Sequence, residues 1–254
     1  MNEVLENWVE TSGRDAAKWA SELKDSRMRD LAMSKAVFDW AEHVPQTAAE
    51  FLLHEDPDYV WMLPRVLARW GKYDPETASR WLANVPDKKL VQDCYLALVQ
   101  EWAMEDAPTA LEWARTHMNL DPLIVSNPEL VGSWPENSTL KALEWTDKLS
   151  SPEARQAAAE KLIENWSIKD PQSFQEWVQS ERPGMRKDIG LHSLANMQGI
   201  ENPAEAMKTA MGIQDEKRRN EALKLHYEFW KESAPEAAAA WLKANPETAK
   251  FVQP

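Results

Sequence analysis

The chain contains five histidines and 42 acidic residues, the side chains that most often bind metals or act as general bases. The histidines share no metal-ligand spacing and no His-Glu-x-x-His motif; they are His43, His54, His117, His192 and His226. Pairs of Asp and Glu are expected by chance in so acidic a chain. Neither a glycine-rich phosphate loop nor a nucleophile elbow occurs. We therefore predict no catalytic residues, no metal site and no cofactor.

Binding chemistry is better represented than catalysis. Glu112, Glu144 and Glu176 each stand directly before a tryptophan, and an apolar residue stands one position earlier in equivalent places, at Leu111, Leu143 and Met207. If the elements that carry them stack in register, an acidic ridge runs beside an apolar strip, and this surface would bind a basic amphipathic peptide. The alternative is a solvated acidic face that keeps the protein soluble.

Trp61 is a further candidate for partner binding. It aligns with Asp93 on the polar side of a predicted helix, where an exposed tryptophan could anchor a partner. The alternative is local repacking, because Pro57 and Pro64 lie close by and the repeat loses two residues here.

The tryptophans repeat with a period of 32 residues, interrupted by one interval of 30. Slot A of this repeat holds Trp8, Trp40, Trp70, Trp102, Trp134, Trp166, Gln198 and Trp230. Slot B, 11 residues later, holds Trp19, Phe51, Trp81, Trp113, Trp145, Trp177, Thr209 and Trp241. Of the 14 tryptophans, only Trp61 lies outside these slots, so the spacing predicts about eight copies of one unit.

Each unit reads as a short helix, a tight turn and a longer second helix. Asp74-Pro75 and Asp170-Pro171 pair an N-cap residue with proline at the first helical position. One hairpin cannot bury its own apolar face, so neighbours must stack. We predict an all-α fold, a superhelical α-solenoid of about eight 32-residue helix-turn-helix repeats that forms a single domain over residues 1–254.

The helix start Asp74-Pro75-x-x-Ala78-x-x-Trp81 resembles the start of a tetratricopeptide repeat, where proline, a small residue and tryptophan keep the same offsets. The period departs from the 34 residues of that family, and Val85-Pro86 stands where its helix would continue. The resemblance implies a superhelix with a concave protein-binding face. No binding residue of the family has a counterpart here.

Other recurring residues are predicted to be structural. Arg29, Arg155, Arg186 and Arg219 stand early in second helices, where they would pair with carboxylates such as Asp74 or Asp170 at neighbouring helix starts. Cys94, the single cysteine, and His226, which aligns with the apolar Leu98, are expected in the core.

Segment 118–133 departs from the pattern. Pro122 and Pro128 stand where the preceding repeat has Leu90 and Leu96, and a proline inside a helix costs about 3 kcal/mol. This second helix should therefore be split, which makes the segment either a hinge or binding loop, or a tolerated irregularity.

The formal net charge of −13 excludes some partners. Such a chain is repelled by phosphate backbones and anionic lipid, so we expect neither nucleic acid nor a membrane as partner. The expected partner is a protein or peptide, and a basic one would complement the charge. Residues 1–8 have the pattern of a second helix without its first. The compartment is cytoplasmic if Met1 is the native start, and periplasmic or secreted if a signal peptide was removed.

The sequence thus predicts a non-enzymatic helical-repeat scaffold that binds a protein or peptide through a concave groove. Two alternatives stay open. One is an enzyme or small-ligand-binding protein with its site at the irregular fourth repeat. The other is a structural spacer within a larger protein.

Overall fold

The computed structural model describes residues 2–252, with side chains at positions 8–135 and 137–251. Every regular element in this range is helical, which confirms the all-α class. The chain divides into two compact units, and the boundary falls between Leu120 and Asp121, within the segment predicted to be irregular.

The N-terminal unit contains six α-helices and one 3-10 helix at Pro57–Met62. The α-helices are α1 (Asn2–Ser21), α2 (Ser26–His43), α3 (Pro45–His54), α4 (Leu63–Tyr73), α5 (Pro75–Leu82) and α6 (Lys88–His117). Helix α1 packs on α2, and α4 packs on α6, so neighbouring long helices lie side by side.

The C-terminal unit contains ten α-helices and 3-10 turns at Glu136–Ser138 and Pro246–Thr248. Its α-helices are α7 (Asp121–Ser126), α8 (Glu129–Gly132), α9 (Thr139–Thr146), α10 (Pro152–Lys169), α11 (Pro171–Ser180), α12 (Met185–Gln198), α13 (Pro203–Met211), α14 (Glu216–Ser233), α15 (Pro235–Ala244) and α16 (Ala249–Val252). Helix α12 packs on both α10 and α14.

Slots A and B are in contact at each of the eight places that the sequence marks. In seven of them two aromatic rings meet with centroids 5.2 to 6.0 Å apart, at tilted angles that favour attraction between ring edges and faces. In the remaining pair the Thr209 hydroxyl donates a hydrogen bond of 2.7 Å to Oε1 of Gln198. A polar contact thus replaces the ring contact at the same two positions.

A recurring backbone corner makes this contact, four residues after slot A. The corner residue has φ between −139° and −157° and ψ between 70° and 81° at Ser12, Val44, Asp74, Asp106, Asp170, Asn202 and Ala234. The Asp74 carboxylate accepts from the backbone N–H of Thr77, and Asp170 accepts from that of Ser173, which are the predicted N-caps. At these seven places the chain therefore reverses within one residue, and slot B returns against slot A. Ser12 and Asp106 lie inside α1 and α6, which are each bent sharply there. In the fourth repeat a 3-10 turn at Glu136–Ser138 takes the place of the corner.

The recurring arginines are structural, but the predicted partners of three of them are wrong. Arg29, Arg155 and Arg219 each donate to a backbone carbonyl six residues earlier, at the end of the preceding helix or turn; these carbonyls belong to Leu23, Leu149 and Ile213. The carboxylates of Asp74 and Asp170 are occupied by their own helix starts. The guanidinium satisfies carbonyls that a helix end leaves without a partner. Arg186 combines both roles, since it donates to the Leu143 carbonyl and lies 3.4 Å from Asp147.

As predicted, Pro122 and Pro128 divide the second helix of the fourth repeat. Helix α7 ends at Ser126, and Pro128 precedes the short helix α8. Ile124 and Val131 are nevertheless fully buried, and the Asp121 carboxylate accepts from the Ser151 N–H at the start of α10. Residues 121–133 of the segment are therefore packed into the C-terminal unit rather than looped out.

Replacing Trp70 with alanine should lower the free energy of unfolding by about 3–5 kcal/mol, because it removes a 4% exposed ring and its contact with Trp81. Trp61→Ala is the matched control: its ring is 62% exposed and should change stability by no more than about 0.5 kcal/mol. Urea unfolding followed by circular dichroism measures both. Equal effects of the two substitutions would contradict the assignment of slot A to the core.

Candidate functional site

The predicted apolar surface strip is absent. Leu111, Leu143 and Met207 are between 0% and 2% exposed, so their side chains are not available to a partner. Ala17, Ala49 and Ser79 occupy the same position in other repeats and are also buried. Short helices such as α5 and α13 are flanked by a long helix on each side, so their buried face is wider than one apolar stripe. The prediction assumed burial on one side only.

The three predicted acidic residues do lie at the surface. Glu144 and Glu176 are exposed, whereas Glu112 is half-exposed and accepts two hydrogen bonds from Arg115 on the same helix. With the leucines and Met207 buried, these acids have no apolar strip beside them at those positions. That an acidic ridge binds a partner stays a prediction.

Trp61 is the one described tryptophan whose side chain is mostly in solvent. It lies in the 3-10 helix Pro57–Met62, where Pro57 occupies the start and Pro64 falls in the first turn of α4. Proline lacks the N–H that a continuous α-helix would need, but it is tolerated within a first turn. The two prolines thus give this repeat a short 3-10 turn before α4, and Trp61 projects from it.

The 3-10 turn is fixed to α2 by a buried tyrosine. The Tyr59 hydroxyl donates a hydrogen bond of 2.8 Å to Oδ1 of Asp30, and the tyrosine is only 8% exposed. Burial raises the pKa of Tyr59, and the bond to the Asp30 carboxylate adds to this effect, so the hydroxyl remains a donor. Trp61, two residues further on, is therefore presented from an anchored element.

A surface depression of about 590 Å³ adjoins Trp61. It is lined by Ser21, Arg29, Asp30, Glu55, Asp56, Asp58, Tyr59 and Trp61. Four of these side chains are carboxylates and one is a guanidinium. We call this depression with Trp61 the Trp61 surface.

The charges on the Trp61 surface are unevenly compensated. Glu55 accepts hydrogen bonds of 3.0 and 2.8 Å from Arg14 and lies 3.3 Å from Lys18, and the bond from Arg14 is the main reason that its pKa is lowered. Burial raises the pKa of Asp56, and the neighbouring charge of Asp58 raises it further. Asp56 and Asp58 therefore form the part of the surface where negative charge accumulates.

Exposed apolar side chains also occur on α2, close in sequence to Asp30, which lines the depression. Leu31 is 60% exposed and stands nine residues before slot A, as Trp61 does in the following repeat. Met28, one helical turn before Leu31, is also exposed. The sequence analysis missed Leu31, Asp30 and Tyr59; the shared register of Leu31 and Trp61 was the signal that could have found them.

Two further depressions lie in the C-terminal unit. The first, about 170 Å³, touches the irregular segment at Gly132 and is otherwise lined by residues from Trp134 to Asp170. The second, about 690 Å³, is lined by His192, Asp188, Glu160 and Arg218, among others. Arg218 and Glu160 form an ion pair of 2.6 Å across it, and Asp188 accepts from the backbone N–H groups of residues 214 and 215. The polar groups here largely satisfy one another.

Comparisons with protein families, curated proteins and solved structures give no match to this chain. Among the side chains that the structure describes, at positions 8–135 and 137–251, no three from His, Cys, Asp or Glu are grouped so that they could hold a metal ion. In the same range, no helix combines the length and apolar character needed to cross a bilayer. Cys94 is fully buried, so it lies in the core as predicted, and desolvation raises the pKa of its thiol to about 12.

His226 is a buried titratable group of the C-terminal unit. It is 6% exposed, and among the described residues its Nε2 has no hydrogen-bond partner. Burial lowers its pKa, and nearby His192 lowers it further; the pKa of His192 is itself lowered by burial and by Arg218, against the opposing charges of Glu160 and Glu221. Both imidazoles therefore take up a proton less readily in the folded state than a histidine in water does.

The free energy of unfolding should fall as the pH drops below about 6.5, because the unfolded chain then takes up protons that the folded His192 and His226 resist. Above that pH both states are neutral and the effect vanishes. His226→Leu, which installs the residue found at the equivalent Leu98, should reduce the loss of stability on acidification. Urea unfolding of both proteins at about pH 8 and about pH 5.5 measures this difference. An identical acid loss in the variant would exclude His226 as a contributor.

Proposed function

We propose that this protein is a non-enzymatic helical-repeat scaffold that binds a protein or peptide partner at the Trp61 surface. The observation that carries the proposal is the exposure of Trp61, at 62%, when the other 13 tryptophans are buried or half-buried in slots A and B. A large aromatic side chain held in water by an anchored turn contributes little to folding. Such side chains are the common anchors of protein interfaces, since a partner gains much by covering them.

For the architecture, we propose that each unit consists of tetratricopeptide-like hairpins of about 32 residues, stacked in series. Support comes from the slot A to slot B contacts and from the corner conformation that recurs four residues after slot A. Packing of α12 on both α10 and α14 also fits serial stacking, because these are successive second helices. In this arrangement successive second helices present equivalent positions side by side, which places Leu31 next to Trp61.

The alternatives in the sequence analysis find less support. The depression that touches the irregular segment holds about 170 Å³, below the range of roughly 300–1,000 Å³ typical of small-molecule sites. A spacer segment would need no distinctive surface, whereas Trp61, Leu31 and Met28 give the N-terminal unit an exposed apolar group beside carboxylates.

A random-sequence peptide library selected on the native protein should yield binders that are lost on Trp61→Ala. Tyr73→Ala is the matched control, because Tyr73 is 67% exposed in the same unit but lies outside the Trp61 surface. Affinities of the selected peptides for the three proteins, measured by fluorescence anisotropy, give the result. We expect Trp61→Ala to cost about 1–2 kcal/mol of binding free energy and Tyr73→Ala to cost little.

The proposal fails if the library yields no binder, or if the selected peptides bind the Trp61→Ala protein as well as the native one. Circular dichroism spectra of both variants should match that of the native protein, because neither side chain is buried.

A further inference from the structure

We infer that the Trp61 surface recognises a basic segment of its partner by seating an arginine side chain against Trp61, within reach of Asp56 and Asp58. This inference rests on the proposed function and names the chemistry of the partner. It rests on three observations: an exposed indole ring, unpaired carboxylates in the adjoining depression, and guanidinium groups that already lie against an aromatic ring elsewhere in the same unit.

Part of the negative charge on this surface has no cationic partner among the described residues. Glu55 is already paired with Arg14 and Lys18, and Arg29 donates to the Leu23 carbonyl. Among the described residues, neither Asp56 nor Asp58 forms an ion pair, and the two carboxylates repel each other enough to add to the raised pKa of Asp56. A guanidinium between them would relieve this repulsion.

The indole ring selects the kind of cation. Tryptophan is the aromatic side chain that attracts cations most strongly to its face. A guanidinium is planar and can stack on such a ring while its N–H groups point outward, in its own plane, to carboxylates at the side. An ammonium group is compact and strongly hydrated. Arginine can therefore use Trp61 and Asp58 together more effectively than lysine can.

The N-terminal unit already contains this arrangement. The guanidinium of Arg65 lies 4.5 Å from the centroid of the Phe38 ring, and that of Arg69 lies 5.3 Å from it. Arg69 also forms an ion pair with Glu42, which is one helical turn beyond Phe38 on α2. A guanidinium held between an aromatic ring and a carboxylate is thus stable in this unit, and Trp61 with Asp56 and Asp58 offers the same two groups without the arginine.

The exposed apolar side chains indicate that the ligand is a peptide segment rather than a free cation. Leu31, directly after Asp30 of the depression, and Met28 are exposed on α2, so a partner with apolar residues near its arginine could cover them as well. The net charge of −13 would attract a basic segment from a distance and speed its association.

The test uses four fluorescein-labelled peptides that share one sequence of leucines and polar residues and differ at two central positions, which hold Arg, Lys, Gln or Glu. Binding to the full chain is followed by anisotropy. The Arg peptide should bind at least about tenfold more tightly than the Gln peptide, and more tightly than the Lys peptide. The Glu peptide should bind most weakly. Trp61→Ala and Asp58→Asn should each weaken Arg-peptide binding by about tenfold, whereas Tyr73→Ala and Glu144→Gln, which replaces an exposed acid of the C-terminal unit, should not.

The outcomes separate this inference from the proposed function. If the Gln or Glu peptide binds as tightly as the Arg peptide and still depends on Trp61, the Trp61 surface binds peptides but the recognition of arginine is wrong. If Arg-peptide binding survives Trp61→Ala, or falls equally with Glu144→Gln, only general charge attraction is present and the inference is overturned. Should none of the four peptides bind, the inference fails, and the library selection decides separately on the proposed function.

Discussion

The contact between slots A and B is the interaction on which both units depend. At seven of the eight places it joins the helix that carries slot A to the helix that carries slot B, across a single corner residue. At six of these corners the residue accepts a capping hydrogen bond or precedes proline, so local chemistry sets the reversal, and the contact between the slots then holds the two helices together. The Thr209–Gln198 hydrogen bond indicates that the contact itself, rather than its aromatic character, is required.

Residues that act through local geometry could be predicted from the sequence. The all-α class, the capping aspartates, the break between Pro122 and Pro128 and the burial of Cys94 and His226 follow from rules that concern one helix or one turn. The recurring arginines show the limit of prediction from such local rules. Their structural role could be read from their recurrence, but a backbone carbonyl six residues earlier has no signature in the sequence.

The failed part of the site prediction has a physical cause of the same kind. Whether Leu111, Leu143 and Met207 face water depends on the helices on both sides of the short helix that carries them, and a single apolar stripe does not reveal the second neighbour. The requirement for glycine at position 13 likewise comes from another helix, because a Cβ there would lie 2.2 Å from the Trp40 ring. Trp61 could be identified from the sequence because it is the one tryptophan outside slots A and B, so the contacts between the slots do not require it.

The deviation at Trp61 also explains why a surface forms at this place. Elsewhere the position nine residues before slot A lies in an α-helix and varies among acidic, aliphatic and small residues. Here the loss of two residues and the prolines at 57 and 64 replace the first turns of that helix with a 3-10 turn. The turn brings Asp56, Asp58 and Trp61 to one side, and the bond between Tyr59 and Asp30 fixes them there. The shortened repeat keeps its contact between slots A and B, and the residues before slot A are no longer held in a continuous helix, so a distinctive surface can form there.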